Sequence, residues 1–122
     1  MTTRYDADGG PALKPLVFQI LLALGEGEPR HGWSIIRDLQ DRDGFADLMP
    51  GHFYRTLRAM LASGLIEEAD PPAGIDDEEG ERRRYFRLTR DGVRTARIEA
   101  RRLEAVVLES RAKRLLSSNR RG

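Results

Sequence analysis

A mainly α chain with one small β-hairpin and a long final helix follows from three features of the sequence. Apolar residues recur at helical spacing in four separate stretches. One short stretch, RRRYFRL at residues 82–88, alternates as a strand does. Before it lies DPPAGIDDEEGE at residues 70–81, whose two prolines, two glycines and six acids suit only a loop. At 122 residues the length fits one domain, and 39% hydrophobic with 34% charged residues gives a modest core under a heavily charged surface.

Residues 1–12 are polar, carry Gly9-Gly10-Pro11, and read as a flexible N-terminal tail. From Leu13 onward Leu16, Val17, Ile20, Leu21 and Leu24 keep the offsets of an amphipathic helix. Phe18 and Leu22 widen its apolar surface, so this helix is expected to be buried on more than one side. Gly25, Gly27 and Pro29 end it. His31-Gly32 opens a second helix running to about Asp41, with Trp33, Ile36 and Leu39 expected toward the core. Phe45, Leu48 and Met49 then pack a connection.

Pro50 suits the first turn of a helix, where its missing N–H has no partner to lose, and a third helix is expected over about residues 50–63. Phe53, Leu57, Met60 and Leu61 form one apolar stripe on it. Tyr54, Arg55 and Arg58 lie on another side, which carries no carboxylate. After Gly64, Leu65-Ile66 reads as a short strand, paired with residues 82–88. In that second strand Arg84, Phe86 and Leu88 point one way and Arg83, Tyr85 and Arg87 the other.

Thr89 is a good N-cap, and Asp91 places a carboxylate in the first turn, where the helix dipole favours it. The helix that follows is expected to reach about Ser117. Val93, Ala96, Ala100, Leu103 and Val107 recur at intervals of three and four, a heptad seam. Ile98, Ala105, Leu108, Ala112 and Leu115 make a second stripe. A helix of ~28 residues is about 42 Å long, and one small domain has few faces on which to bury two stripes. A second copy of the chain is the simplest partner, which makes this a dimerisation helix.

The net charge of +1 hides a strong asymmetry. Residues 1–66 sum to −1, residues 67–81 to −8 and residues 82–122 to +10. An acidic loop thus adjoins a basic C-terminal third, which fits either a polyanion partner or a solvated arginine-rich helix. Several classes of function are disfavoured. There is no cysteine, and His31 and His52 are the only histidines, placed in different elements. A metal site needs three or four ligands, and none is visible; no coherent nucleophile or acid–base set points to an enzyme. No cofactor is implied. The longest apolar run is nine residues, against about 20 for a bilayer span. Together with an N-terminus that lacks a signal pattern, this gives a cytoplasmic protein with no membrane partner as the expectation.

The order helix, helix, helix, strand, loop, strand, long helix is that of a winged helix-turn-helix followed by a dimerisation helix. The residues also resemble the PadR-like transcriptional regulators, in the short form with a single C-terminal helix, from about Leu16 to Ala105. Four blocks carry the likeness. VFQILLAL with GEGEPRHGWSI is similar to the family's "lL.egp.hGYeI", with Trp33 in place of tyrosine. PGHFYRTLRAMLASGLI is similar to "gtlYp.L.rLe..GLi", with Gly51, Tyr54, Leu57, Gly64 and Leu65 in register. RRRYFRLT is similar to "r.rYY.LT", and Asp91-Gly92 to "e.G". Arg55 stands where the family usually has proline, and His52 where it often has threonine. The acidic loop also departs from the basic wings more usual in such proteins.

The resemblance implies three regions: a tail at 1–12, a DNA-binding winged helix at 13–88, and a dimerisation helix with a basic tail at 89–122. It implies double-stranded DNA and a second copy as partners, and a repressor acting as a homodimer on a roughly palindromic operator. The third helix would enter the major groove with Gly51, His52, Tyr54, Arg55 and Arg58. Arginines there can reach phosphates or, bidentately, a guanine edge. For Tyr54 the alternative is half-buried packing against the second helix. Lys14 would touch a phosphate, and Arg82, Arg83 and Arg84 at the base of the acidic loop would make the wing contacts. Such proteins often sense small aromatic molecules between the dimer helices, which makes a small-molecule effector a further partner the resemblance implies. The aromatic walls on offer are Trp33, Phe18 and Tyr5, each more simply read as core or tail. The competing reading is a winged helix that binds only protein, its arginine face meeting an acidic partner.

Overall fold

The computed structural model describes residues 10–75 and 83–117. Its elements run α1 (Pro15–Ala23), β1 (Arg30–His31), α2 (Gly32–Gln40), α3 (Pro50–Ala62), β2 (Ile66–Ala69), β3 (Tyr85–Leu88) and a long α4 (Arg90–Ala112). The three strands form an antiparallel sheet in the order β1-β3-β2. Register is set by Arg30 opposite Phe86 on one side of β3, and by Ile66 opposite Leu88 through Ala69 opposite Tyr85 on the other.

One core joins these elements. Ile20, Leu21 and Leu24 from α1, Ile35, Ile36 and Leu39 from α2, Phe53, Leu57 and Met60 from α3, and Leu65, Ile66 and Phe86 from the sheet are all buried in it. Each such side chain contributes roughly 1.5–3 kcal/mol by leaving water. Polar ties hold the helices in register. Arg30 donates to the Ala23 carbonyl at the end of α1 (3.1 Å) and to the Ser34 carbonyl in α2 (3.0 Å), and its guanidinium meets the Asp38 carboxylate at 3.2 Å. Arg42 reaches the same carboxylate (3.3 Å) and donates to Gln19 Oε1 (2.6 Å).

Several expectations need correction. Trp33 does not face the core: it is 53% exposed, because Ile35 completes the buried stripe with Ile36 and Leu39, and residue 33 falls about 110° round the wheel from its centre. Leu22 is 47% exposed, since it lies opposite the arc of Leu16, Ile20 and Leu24, so α1 is buried on one side. Met49 is likewise exposed, while Leu48 is buried.

The wing is a three-stranded sheet and not a two-stranded hairpin, because Arg30 and His31 add a short edge strand. β2 starts at Ile66, after Leu65, and runs to Ala69. β3 starts at Tyr85, leaving Arg83 and Arg84 ahead of it. Tyr85 and Phe86 are both buried although neighbours in a strand face opposite ways. β3 is central: Phe86 enters the core, and the His31 ring lies edge-on to Tyr85 at 5.4 Å on the other face. The N-terminal expectation at residues 1–12 and the loop expectation at residues 70–81 fall partly outside the described residues.

α4 ends at Ala112, short of Ser117. Arg114 takes φ +63°, and the Leu115 N–H returns to the Ser110 carbonyl at 2.8 Å, closing the helix end. Among the described residues only its first half packs on its own chain. Gly92, Thr95 and Glu99 are buried, and Glu99, 5% exposed, is met by Arg102 at 3.6 Å. Arg102 also donates to the Gly10 carbonyl.

The start of α4 is fixed by the Leu65 carbonyl, which accepts from the Thr89 N–H and hydroxyl, both at 3.1 Å. The Thr89 oxygen caps α4 by accepting from the Gly92 N–H at 3.0 Å. A β-carbon at Gly92 would stand 2.1 Å from that carbonyl oxygen. Gly92→Ala is therefore expected to cost about 3 kcal/mol or more, beyond ordinary overpacking. Gly27→Ala, at φ +96° with open space around it, should cost only about 1–2 kcal/mol. Urea midpoints of the two variants give the comparison.

Candidate nucleic-acid interface

α3 divides cleanly around its axis. Phe53, Leu57 and Met60 are buried, whereas Gly51, His52, Arg55, Arg58, Ala59 and Ala62 are exposed. Pro50 occupies the first turn and Met49, the N-cap, offers no side-chain hydrogen bond, so the first backbone N–H groups face outward without a cap. Thr56 is satisfied within the helix by the His52 carbonyl at 3.0 Å. Arg55 folds back along the helix: its Nη1 lies 3.4 Å from where a β-carbon of residue 51 would sit, and Gly51 leaves that path open. Among the described residues neither Arg55 nor Arg58 has an ion-pair partner. Lys14, exposed at the N-cap of α1, has none either.

Tyr54 flanks this face and is half-buried. Its ring lies edge-on to Phe53 at 4.9 Å and against the first turn of α2, where a β-carbon on Gly32 would come within 2.8 Å of Tyr54 Cε1 and 3.1 Å of its hydroxyl. Gly32 is thus the residue that lets the phenol dock. Burial raises the Tyr54 hydroxyl above the ordinary phenol pKa.

The arginines ahead of β3 are in different states. Arg84 is bound to the Glu68 carboxylate of the neighbouring strand and stacks on Phe86, 5.5 Å from the ring centre. The shared hydrogen bond and charge hold the Glu68 carboxyl below its usual range and raise Arg84. Arg87 pairs with Glu67 directly opposite, at 2.8 Å. Arg83 reaches His31 Nε2 at 3.1 Å, while His31 Nδ1 caps α2 by accepting from the Ser34 N–H at 3.2 Å. Arg82 lies outside the described residues.

The structure thus brings Gly51, His52, Tyr54, Arg55 and Arg58 onto one end and one flank of α3, and Tyr54 and Arg58 share a cavity with Arg83 and Arg84. Lys14 sits apart, at the start of α1. His31 was missed as a site element, since two residues are too few to show strand periodicity. Of the seam, Val93 and Ala96 are half-buried in their own chain, while Ala100, Leu103 and Val107 are exposed.

The sequence matches the model of the transcriptional regulator PadR-like family over residues 20–98. The chain belongs to that family. No curated protein matches it. Among solved structures this PadR-like chain is similar to a PadR-like transcriptional regulator from Bacillus cereus, at 22% identity and TM-score 0.61, covering 85% of this chain and 93% of that one. It is also similar to the PcaV transcriptional regulator from Streptomyces coelicolor in complex with its natural ligand, at 17% identity and TM-score 0.66, covering 89% and 67%. A third likeness is to the transcriptional repressor CouR bound to a 23-mer DNA duplex, at 26% identity and TM-score 0.61, covering 86% and 64%. Membership makes the protein a DNA-binding transcriptional regulator of winged-helix fold and not an enzyme. Among the described residues no helix is long and apolar enough to cross a membrane, and no group of three His, Asp or Glu could hold a metal ion.

Because the folded state holds the Tyr54 proton more tightly than the unfolded chain, stability should be constant below the ordinary phenol value of 10.0 and fall as pH rises from there through the higher folded-state value. A high-pH absorbance titration is expected to show a phenol ionising above that value. The step should vanish in Tyr54→Phe and move down in Gly32→Ala, where the ring is pushed out.

Proposed function

We propose that this regulator is a sequence-specific repressor that acts as a homodimer in the cytoplasm on a roughly palindromic operator. The observation that carries the reading is the exposed face of α3: two arginines without ion-pair partners among the described residues, beside an uncapped helix start. Such a face suits the major groove, with the N–H groups and dipole favouring a phosphate and the guanidinium groups free to pair with a guanine edge. His52 stands at the entry point, and Tyr54 presents its hydroxyl at the flank. Lys14 and the arginines ahead of β3 would add phosphate contacts, which position the protein without reading sequence. Of these, Arg84 is already neutralised by Glu68. In this scheme residues 13–88 are the reading unit and residues from 89 onward join the two copies. CouR, a repressor held on duplex DNA, supports the same use of the fold, and PcaV with its natural ligand supports control by a small molecule.

The dimer reading rests on α4. Leu103, Val106, Val107 and Leu108 are exposed on its second half, an apolar surface of the kind that marks an interaction site. In a two-fold dimer the two α3 helices would face half-sites about one helical turn, roughly 34–36 Å, apart.

Two experiments test the reading. Selection of bound fragments from random DNA should return a palindromic site. Arg55→Ala and Arg58→Ala should each cost about 1–3 kcal/mol and relax preference at particular base pairs if they read bases, or weaken all sequences alike and flatten the salt dependence if they hold phosphates. Retention of a sharp site by both variants would remove them from the interface. Separately, Leu103→Glu with Val107→Glu should convert the protein to monomers in sedimentation while leaving the circular dichroism of the winged helix in place, and operator affinity should fall with the dimer.

A further inference from the structure

The leading end of α3 departs from two rules of stability at one residue. Met49 holds the N-cap position with the extended backbone of a cap, φ −93° and ψ 144°, but its side chain makes no capping hydrogen bond. Ser, Thr, Asp or Asn is favoured there, because an oxygen can accept from one of the first helical N–H groups, which a thioether does only weakly. The same side chain is 66% exposed, whereas Leu48 before it and Met60 on the same helix are buried. An apolar chain left in water forgoes the stabilisation that burial would bring. Single exposed apolar residues are common on protein surfaces; Met49 is set apart by where it stands and by the cap it displaces.

Met49, Pro50, Gly51 and His52 are four consecutive exposed residues. They lead the helix that carries Arg55 and Arg58, and the Arg55 guanidinium folds back to Gly51 at that same end. No residue from Met49 to Ala62 is acidic. In a helix-turn-helix the N-terminal residues of the presented helix are the ones that meet base edges. Besides its donors and acceptors, the major groove offers them one apolar group, the C5-methyl of thymine. A thioether chain is unbranched, polarizable and turns about three bonds, so it can lie against a methyl group without leaving a hydrogen bond unmade. His52 and Arg55 are suited to the polar edges. Met49 is the long apolar side chain among the four leading residues.

We propose that Met49 is a specificity residue that reads the methyl group of a thymine in each half-site. The inference rests on the function proposed above and adds a named base contact to it. In the free protein the thioether is hydrated. On DNA the thioether and the methyl group leave water together, so the contact contributes to affinity only where a thymine stands at that step. The poor cap has the same origin, because the residues that cap well are too short and too polar to make this contact. Local stability is given up at a functional position, where such departures are expected.

Replacing thymine by uracil removes the methyl group and leaves base pairing intact. In the DNA fragment selected by the full chain, each thymine is replaced in turn, and binding is measured for the wild type, Met49→Leu and Met49→Ala. At one thymine of each half-site the wild type is expected to lose affinity about four-fold, the weight of one buried carbon. Met49→Leu should keep that loss, and Met49→Ala should bind thymine and uracil alike. A fragment with no methyl-sensitive thymine, or the same loss in Met49→Ala, would overturn the assignment. In an arm that needs no DNA, Met49→Ser should raise the thermal midpoint by about 4 °C by capping α3. A lowered midpoint would make Met49 a residue of the fold, and loss of the dimer in sedimentation would assign it to the contact between copies. Either result overturns the proposal. A wild type that selects no DNA sequence would refute the proposed function and this contact with it, whereas sharp selection without a methyl-sensitive thymine refutes the contact alone.

Discussion

The carbonyl of Leu65 is the point on which the rest of the structure turns. It lies where α3 has just ended and β2 is about to begin, and two groups of Thr89 bind it as β3 gives way to α4. The single Thr89 hydroxyl proton is shared with the Gly64 carbonyl, the nearer acceptor at 2.6 Å, and the oxygen still has a lone pair to cap α4. One backbone oxygen and one threonine therefore join the presented helix, both long strands of the sheet and the long helix. Gly64, at φ +82°, makes the turn that brings the oxygen there, and Gly92 is the only residue type that lets α4 pass over it. The direction in which α4 leaves the winged helix is fixed by this close approach, and so is the position of its exposed apolar half relative to α3.

Much of this was legible in the sequence. Helical spacing located all four helices, because three buried stripes of α1, α2 and α3 and the Thr89 cap each leave a local signature. The Asp91-Gly92 pair could be noticed from family resemblance, but its reason, a carbonyl 2.1 Å from the missing β-carbon, is a tertiary fact that no local pattern carries. The same is true of Gly32 and Tyr54, which are 22 positions apart in sequence and touch in space. β1 escaped notice because a two-residue strand has no period. Trp33 was misplaced because a large aromatic in an amphipathic segment reads as core by composition, while the geometry of α2 gives that place to Ile35.

Charge shows the same division between local and spatial information. The basic count of the C-terminal third is plain in sequence, yet the arginines around β3 behave differently. Arg84 and Arg87 are spent on Glu68 and Glu67 across the sheet. With side chains about half exposed, such pairs add little to stability, but they remove two cations from the surface available to a polyanion. Arg55 and Arg58, on a helix face with no carboxylate, keep theirs among the described residues. Regional net charge is therefore a poor guide to where an anion would bind; pairing decides it.

α3 keeps the residues that hold it in place separate from those it presents. Phe53, Leu57 and Met60 anchor it, and His52, Arg55, Arg58, Ala59 and Ala62 make almost no contribution to the core. Exposed changes of this kind usually alter stability by no more than about 0.5 kcal/mol. A duplicated copy of this gene can thus sample new side chains at those five positions without risking the fold. Divergence of binding preference between paralogues is open to it at almost no cost in folding.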